Sequence, residues 1–446
     1  MSFVFDPRDL ISPPYITCPN GHEESYGILS IGGTGYSRRC RECWVTNSYP
    51  LPKLTKKVVY IDQFAISNMM KALNDEMDSH ARAKADPFWL EMFDALERVS
   101  KLQLVVCPVS GSHRNESLMV SYFPALKRMY EQLSHGVSFD DSAYIVDRQI
   151  VVALEAWLKG EAPAHDFDAE NVTNGDLNAW QDRLIISVEM EWPAEVVEGV
   201  RRFRDSVSEK VAEVFKFYQE QGKTHKDFGH WFEHERSKLS ETVPLAAANY
   251  AARVKQMLTS GELDLSKLQQ YRSRGYDTFQ NIWSVMKTKE IKPEDVKDKI
   301  DAFLTSDAYK DTPANRLGTL MWAVIAHQAA NGRTNPPNKG MSTDIDTVST
   351  LLPYCDAILV DRECAALVGN IPKKFSPGFG TRIFSPATKT EFLAYLKQIE
   401  TEADKAVVAA VKEVYGDKWL IPFREMYNVE RARRERERST TDKASS

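Results

Sequence analysis

The stretch KVVYIDQFAISNMM, residues 57 to 70, holds a continuous apolar run, Val58 to Ile61, closed by an acid, Asp62. A short all-apolar run of this kind reads as a strand buried on both faces in a parallel sheet. The residues after Asp62 switch to helical spacing, with Ile66, Met69, Met70 and Leu73 on one face. An acid at the carboxyl end of a parallel strand stands where open α/β sheets place their sites. Three further strand candidates follow. Leu104 to Cys107 leads through a polar turn to Glu116, Ala357 to Val360 is flanked by Asp344, Asp346, Asp356 and Asp361, and Thr381 to Phe384 precedes a capped helix start at Ser385. Strand, helix and strand alternate as in a parallel sheet.

Around this frame the chain divides in order. Residues 1–50 carry Cys18-Pro-Asn-Gly-His22 and Cys40-Arg-Glu-Cys43, a C-x3-H and a C-x2-C pair with the spacing of two zinc knuckles. Four such ligands close a tetrahedral shell, so the expected Zn2+ is structural; the weakest of the four is His22, which Glu23 could replace. A reduced, metal-free loop is the alternative. Residues 55–140 form the first part of the α/β domain. There Ser110 to Ser112 cap a helix that sets His113 and Glu116 on one face. A glutamate in a first helical turn is also favoured by the helix dipole alone.

Residues 141–309 read as helical almost throughout, over 144–158, 177–189, 194–220, 245–258 and 276–288, with Pro193, Pro244 and Pro293 as helix starts. The block is acidic, which argues against a phosphate-tracking clamp. Inside it, His230-Trp-Phe-Glu233-His234 matches the inverted zinc-peptidase pattern, yet no third ligand on a second helix can be named, and a solvated helical face accounts for it. Residues 310–400 complete the α/β domain with helices over 313–331 and from Ser342 or Thr343. Residues 401–446 give a further helix over 402–416 and a polar tail from Glu430 that reads as disordered.

The formal charge of −6 over 446 residues removes any global basic signature, so a nucleic-acid surface must be local. The amino terminus lacks the pattern of a signal peptide, and no run reaches the about 18 apolar residues of a membrane helix. With six cysteines and no disulfide framework, the expected setting is a reducing cytoplasm.

The two ends of the α/β frame resemble a PIN-like nuclease domain. The resemblance rests on YID62, on Glu116 in VVCPVSGSHRNE, on Asp344 and Asp346 in STDIDTVSTLLPYCD, on Asp361 in ILVDRE and on the closing IFSPATKTEFLAYL. It covers about residues 57–130 and 310–400. It implies an α/β fold, a parallel sheet flanked by helices, here with an amino-terminal zinc ribbon and a helical insertion. It also implies a Mg2+/Mn2+-dependent nuclease, an endoribonuclease in the first instance, with Asp62, Glu116, Asp346 and Asp361 as catalytic acids. The metal ligands would be Asp62, Glu116, Asp361 and one or both of Asp344 and Asp346. His113, Arg114, Lys373, Lys374 and Arg382 are the cationic candidates for substrate phosphate. Gln63-Phe64 stand where the family often has Thr-Asn. RNA is the expected partner ahead of DNA, with a protein partner or self-association through the insertion. The family's frequent use as toxins extends the expectation to antiphage defence. The other reading is an inactive PIN-like adaptor, a zinc-ribbon or RNA-binding protein.

Overall fold

The computed structural model describes residues 6–77, 86–118, 120, 122–182, 192–261, 272–289, 291–429 and 431–432. Of the helix expected over 177–189, residues 177–182 form no helix and 183–189 lie outside the described residues, as does the polar tail beyond residue 432. Two sheets organise the chain. The first is antiparallel, in the order β1 (Ser12–Ile16), β2 (Tyr26–Ile31), β3 (Gly35–Cys40), β4 (Thr46–Pro50).

The second sheet is parallel, built from β5 (Lys57–Ile61), β6 (Val105–Val106), β9 (Ala357–Leu359) and β10 (Arg382–Phe384) in the order β10-β9-β5-β6. A short pair, β7 (Ser138–Phe139) and β8 (Thr173–Asn174), lies apart.

Alternation along β5 assigns its two faces. Val59 and Ile61 enter a core with Met69, Met70, Phe93, Leu96 and Phe392. These come from α1 (Gln63–Leu73), α2 (Phe88–Lys101) and α14 (Lys389–Thr401). The short α3 (Gly111–Ser117) follows β6, and α4 (Phe123–Ser134) adds Leu126 and Met129 to the same layer. Val58 and Tyr60 point the other way, into a core with Leu320, Val324, Ile345, Phe215 and Trp231. The successive side chains of a strand face opposite sides of a sheet, so a strand apolar at every position is covered twice.

The helices of the second layer come partly from the 141–309 stretch. They are α5 (Ser142–Lys159), α6 (Ala194–Gln221), α7 (Phe228–Ser260), α8 (Arg274–Thr288), α9 (Pro293–Thr305) and the single turn α10 (Asp307–Lys310). They are followed by α11 (Pro313–Ala330), α12 (Met341–Leu351), α13 (Arg362–Gly369) and, after α14, α15 (Lys405–Tyr415). Helices α6 and α7 pack on α11 within the core of the sheet, while α5, α8 and α9 hold a separate core around Ile150, Leu154, Ile282 and Phe303.

Pro244 does not start a helix. It lies within the continuous 33-residue α7, where buried Val243 is held in the core of α5, α8 and α9. Tertiary packing here outweighs the break that a proline ordinarily imposes. Among the described residues no helix is long and apolar enough to cross a membrane.

The antiparallel sheet is joined to the rest through α15. Arg38 is buried and donates to the carbonyls of Pro14, Tyr26 and Glu413, and the Tyr36 hydroxyl donates to the Glu413 carboxylate. Arg38 is therefore a structural tie and not a surface charge.

Candidate carboxylate site and metal centre

Both strand-end acids are fixed by the backbone. The ladder continues past β5 and β9, with Asp62 N–H donating to Leu359 O at 2.9 Å and Val360 N–H to Phe384 O at 3.0 Å. Asp62 and Asp361 therefore leave adjacent parallel strands at the same edge. Each caps the helix that follows: Asp62 Oδ1 accepts from Gln63 N at 2.6 Å, and Asp361 Oδ1 from Cys364 N at 2.6 Å. Capping uses one oxygen of each carboxylate and leaves the other for a second partner. Asp361 Oδ2 faces the Asn338 side-chain amide at 3.4 Å.

Glu116 and Asp344 approach the same edge from α3 and from the first turn of α12. Together with Asp62 they line a small cavity of about 10 Å³, whose other walls include Tyr60, His113, Thr347 and Cys364. A volume of this size holds about one water or one ion.

The electrostatics are those of crowded, desolvated acids. Burial, then the charges of Asp62, Glu116 and Asp361, pushes Asp344 up to about 8. Burial and Glu116 push Asp62 up to about 7. Glu116 is raised by burial and by Asp361, and Arg204 opposes the rise. Two carboxylates in one site resist double ionisation, and a cation restores it.

Asp346 does not join this group. Two residues along a helix place side chains about 200° apart. Asp346 accordingly emerges on the opposite side of α12, exposed and paired with Arg274 at 3.1 Å. Of the two acids open as ligand, Asp344 joins the others, and Asp346, expected to be catalytic, does not.

Four of the five cationic candidates are corrected too. His113 Nδ1 accepts from Ser110 N at 3.1 Å, and its ring stacks between Tyr60 and Tyr130 at 5.0 and 4.8 Å. Burial draws His113 down to about 4, so it is a neutral wall of the cavity. Arg382 opens β10 opposite Ala357, at the amino end of the strands, over the Tyr395 ring. Lys373 and Lys374 are exposed in the turn after α13, a helix that runs back from the acid edge. Arg114 is exposed on α3. Among the described residues, the positive charge that acts on Glu116 and Asp344 comes from Arg204 on α6, a residue with no motif to mark it.

The ribbon ligands converge as their spacing predicts. One ligand atom each from Cys18, His22, Cys40 and Cys43 lies within 4.8 Å of the others, the single such set among the described residues. Cys18 Sγ is 3.7 Å from Cys43 Sγ and 3.2 Å from His22 Nδ1. Zinc–sulfur bonds of about 2.3 Å in a tetrahedron put sulfurs about 3.8 Å apart. Gly21, at φ +89°, supplies the left-handed residue of the first knuckle. Although burial opposes it, the Ser25 hydroxyl and the amides of Cys43 and Glu42 bring the Cys40 thiol down to about 6. The cluster can hold a structural Zn2+. His230 and His234 stand on one face of α7 with ring centres 6.4 Å apart, and His225 stacks on His230 at 4.0 Å, but among the described residues no three ligand atoms there come close enough to share an ion.

Compared with family models, curated proteins and solved structures, the chain gives no match.

Proposed function

We propose that the chain is a PIN-like nuclease dependent on Mg2+ or Mn2+, hydrolysing phosphodiester bonds in RNA ahead of DNA. The observation that carries this reading is the convergence of Asp62, Glu116, Asp344 and Asp361, drawn from four separate segments, at one edge of the parallel sheet. The donor set is all oxygen, which suits a hard divalent ion rather than zinc. The carboxylate oxygens form a looser set than the ribbon ligands, as suits an ion held directly by one or two acids and through water by the others. Such an ion supplies Lewis acidity to the attacking water and to the leaving oxygen.

The chain's own residues do the remainder. The capping bonds of Asp62 and Asp361 orient their free oxygens, and Tyr60 and His113 keep bulk water from the back of the cavity. Burial and mutual repulsion raise Asp344 to about 8 and Asp62 to about 7 without a cation, so a bound cation is what would hold both as carboxylates at neutral pH. A toxin or antiphage effector is the setting in which this activity would serve.

Zinc-loaded protein incubated with tRNA, mRNA and single-stranded DNA should cleave RNA when Mn2+ or Mg2+ is added and leave it intact otherwise. Cleavage that is indifferent to added cation would contradict the proposal. One observation favours an inactive adaptor, namely that the cavity has room for about one water. An adaptor would bind RNA in the same assay without shortening it.

A further inference from the structure

Arg204 reaches the carboxylate edge from α6, a helix that belongs to the 141–309 stretch and not to the strand–helix frame. Its Nη2 atom and Asp344 Oδ2 lie 3.7 and 3.6 Å from one point, where a Cβ on Gly340 would sit. Gly340 is the residue from which α12 starts, and Arg204 is not among the residues that line the cavity, so the guanidinium lies beside Asp344 and outside the cavity.

Three contacts hold α6 against the loop before α12. Asp205 pairs with Lys339 at 3.7 Å, Gln219 Nε2 donates to Arg333 O at 2.8 Å, and the Arg333 guanidinium lies 5.8 Å from the centre of the Phe215 ring. The arginine is thus delivered by a docked element. With space inside for about one ion, a phosphate group has to lie at the rim. A planar guanidinium is the side chain best matched to two phosphate oxygens.

We infer that Arg204 is a substrate-phosphate contact supplied by the helical block, holding a non-bridging oxygen of the phosphodiester that lies against the carboxylates. This inference rests on the nuclease reading of that cluster. In the free protein the same guanidinium offsets the charge of Glu116 and Asp344; once a divalent cation neutralises the acids, the phosphate becomes its stronger partner.

The test measures binding of a fluorescein-labelled, 20-nucleotide single-stranded RNA to the full chain in Ca2+, as a function of salt. Arg204→Ala should weaken binding about tenfold and lower the slope of log K against log salt by about 0.7, the loss of one phosphate contact. Arg204→Lys keeps the charge and should retain the slope while binding less tightly than wild type. A merely structural role would leave the slope where it was. Thermal midpoints should stay within about 2 °C of wild type, and Mn2+ affinity should not fall. Wild-type affinity and slope in Arg204→Ala would overturn the inference, as would a parallel loss of Mn2+ and RNA affinity. Those outcomes, in a wild-type protein that cleaves RNA, remove only the role of Arg204. A wild-type protein that neither binds nor cleaves RNA removes the nuclease reading and this contact with it.

Discussion

Asp344 and Asp346 show how much a single helical turn decides. The segment STDID offers both acids, and nothing in its pattern ranks them, because either fits an early-turn position favoured by the helix dipole. Packing ranks them: Ile345 and Val348 enter the core, which turns Asp344 toward Asp62 and Glu116 and leaves Asp346 in solvent. Asp344→Asn should therefore lower RNA cleavage by about a hundredfold or more, whereas Asp346→Asn stays within about twofold of wild type, its exposed pair being worth about 0–1 kcal/mol. Equal effects of the two substitutions on the cleavage rate would contradict the assignment. The raised acids also set a pH dependence. Between the unfolded value of 3.8 and the folded value of about 8, the native state keeps a proton on Asp344 that the unfolded chain has lost. Zinc-loaded protein dialysed free of Mg2+ and Mn2+ should accordingly lose stability as pH rises from about 4 to 8. Asp344→Asn should flatten that fall in thermal melts, and added Mn2+ should flatten it in the wild type. Parallel profiles for wild type and variant would rule the coupling out.

At the scale of elements, the ribbon and the strand ends were legible, and the helical joins were not. Two knuckles with their Gly21 turn announce a tetrahedral site because the ligand spacing itself makes the geometry. The strand-end acids are legible for a similar reason: all-apolar runs such as Val58 to Ile61 admit few placements, and a following acid must leave at the sheet edge. By contrast, Pro244 reads as a boundary, and only the buried Val243 beside it explains why α7 runs on. Two predictions belong here. Cys40→Ser combined with Cys43→Ser should remove about one zinc per chain by elemental analysis and lower the thermal midpoint, since the ribbon is tied to α15 through Arg38 and Tyr36. A full equivalent of zinc in the double variant would refute the site. The end of α6 is the second case. A Cβ at Gly222 would fall 2.3 Å from Ala330 Cα on α11, so Gly222→Val must push the two helices apart. It should cost about 1–3 kcal/mol in chemical denaturation, and it should weaken RNA binding by moving Arg204. An unperturbed midpoint would show that α6 is not docked there.

At the scale of the whole molecule, the chain joins acids from residue 62 to residue 361 because parallel strands return each connection to the same edge. The amphipathic helices of 141–309 were visible as helices, but their partners were not. Periodicity shows that a helix has an apolar face, not which surface covers it. That is why Arg204, one cation in the run RRFRD, gave no signal, although α6 brings it to the carboxylates. It is also why Lys373, Lys374 and Arg382 looked as eligible as any other cation until the direction of β10 and α13 placed them away from the acid edge. The proposed nuclease depends on Asp62, Glu116, Asp344 and Asp361 forming one divalent-cation site. That site is tested most directly by titrating zinc-loaded protein with Mn2+ and following free Mn2+ by electron paramagnetic resonance. One Mn2+ should bind per wild-type chain and be lost in Asp62→Asn and in Asp344→Asn but retained in Asp346→Asn. Unchanged Mn2+ binding in Asp62→Asn and Asp344→Asn would contradict it.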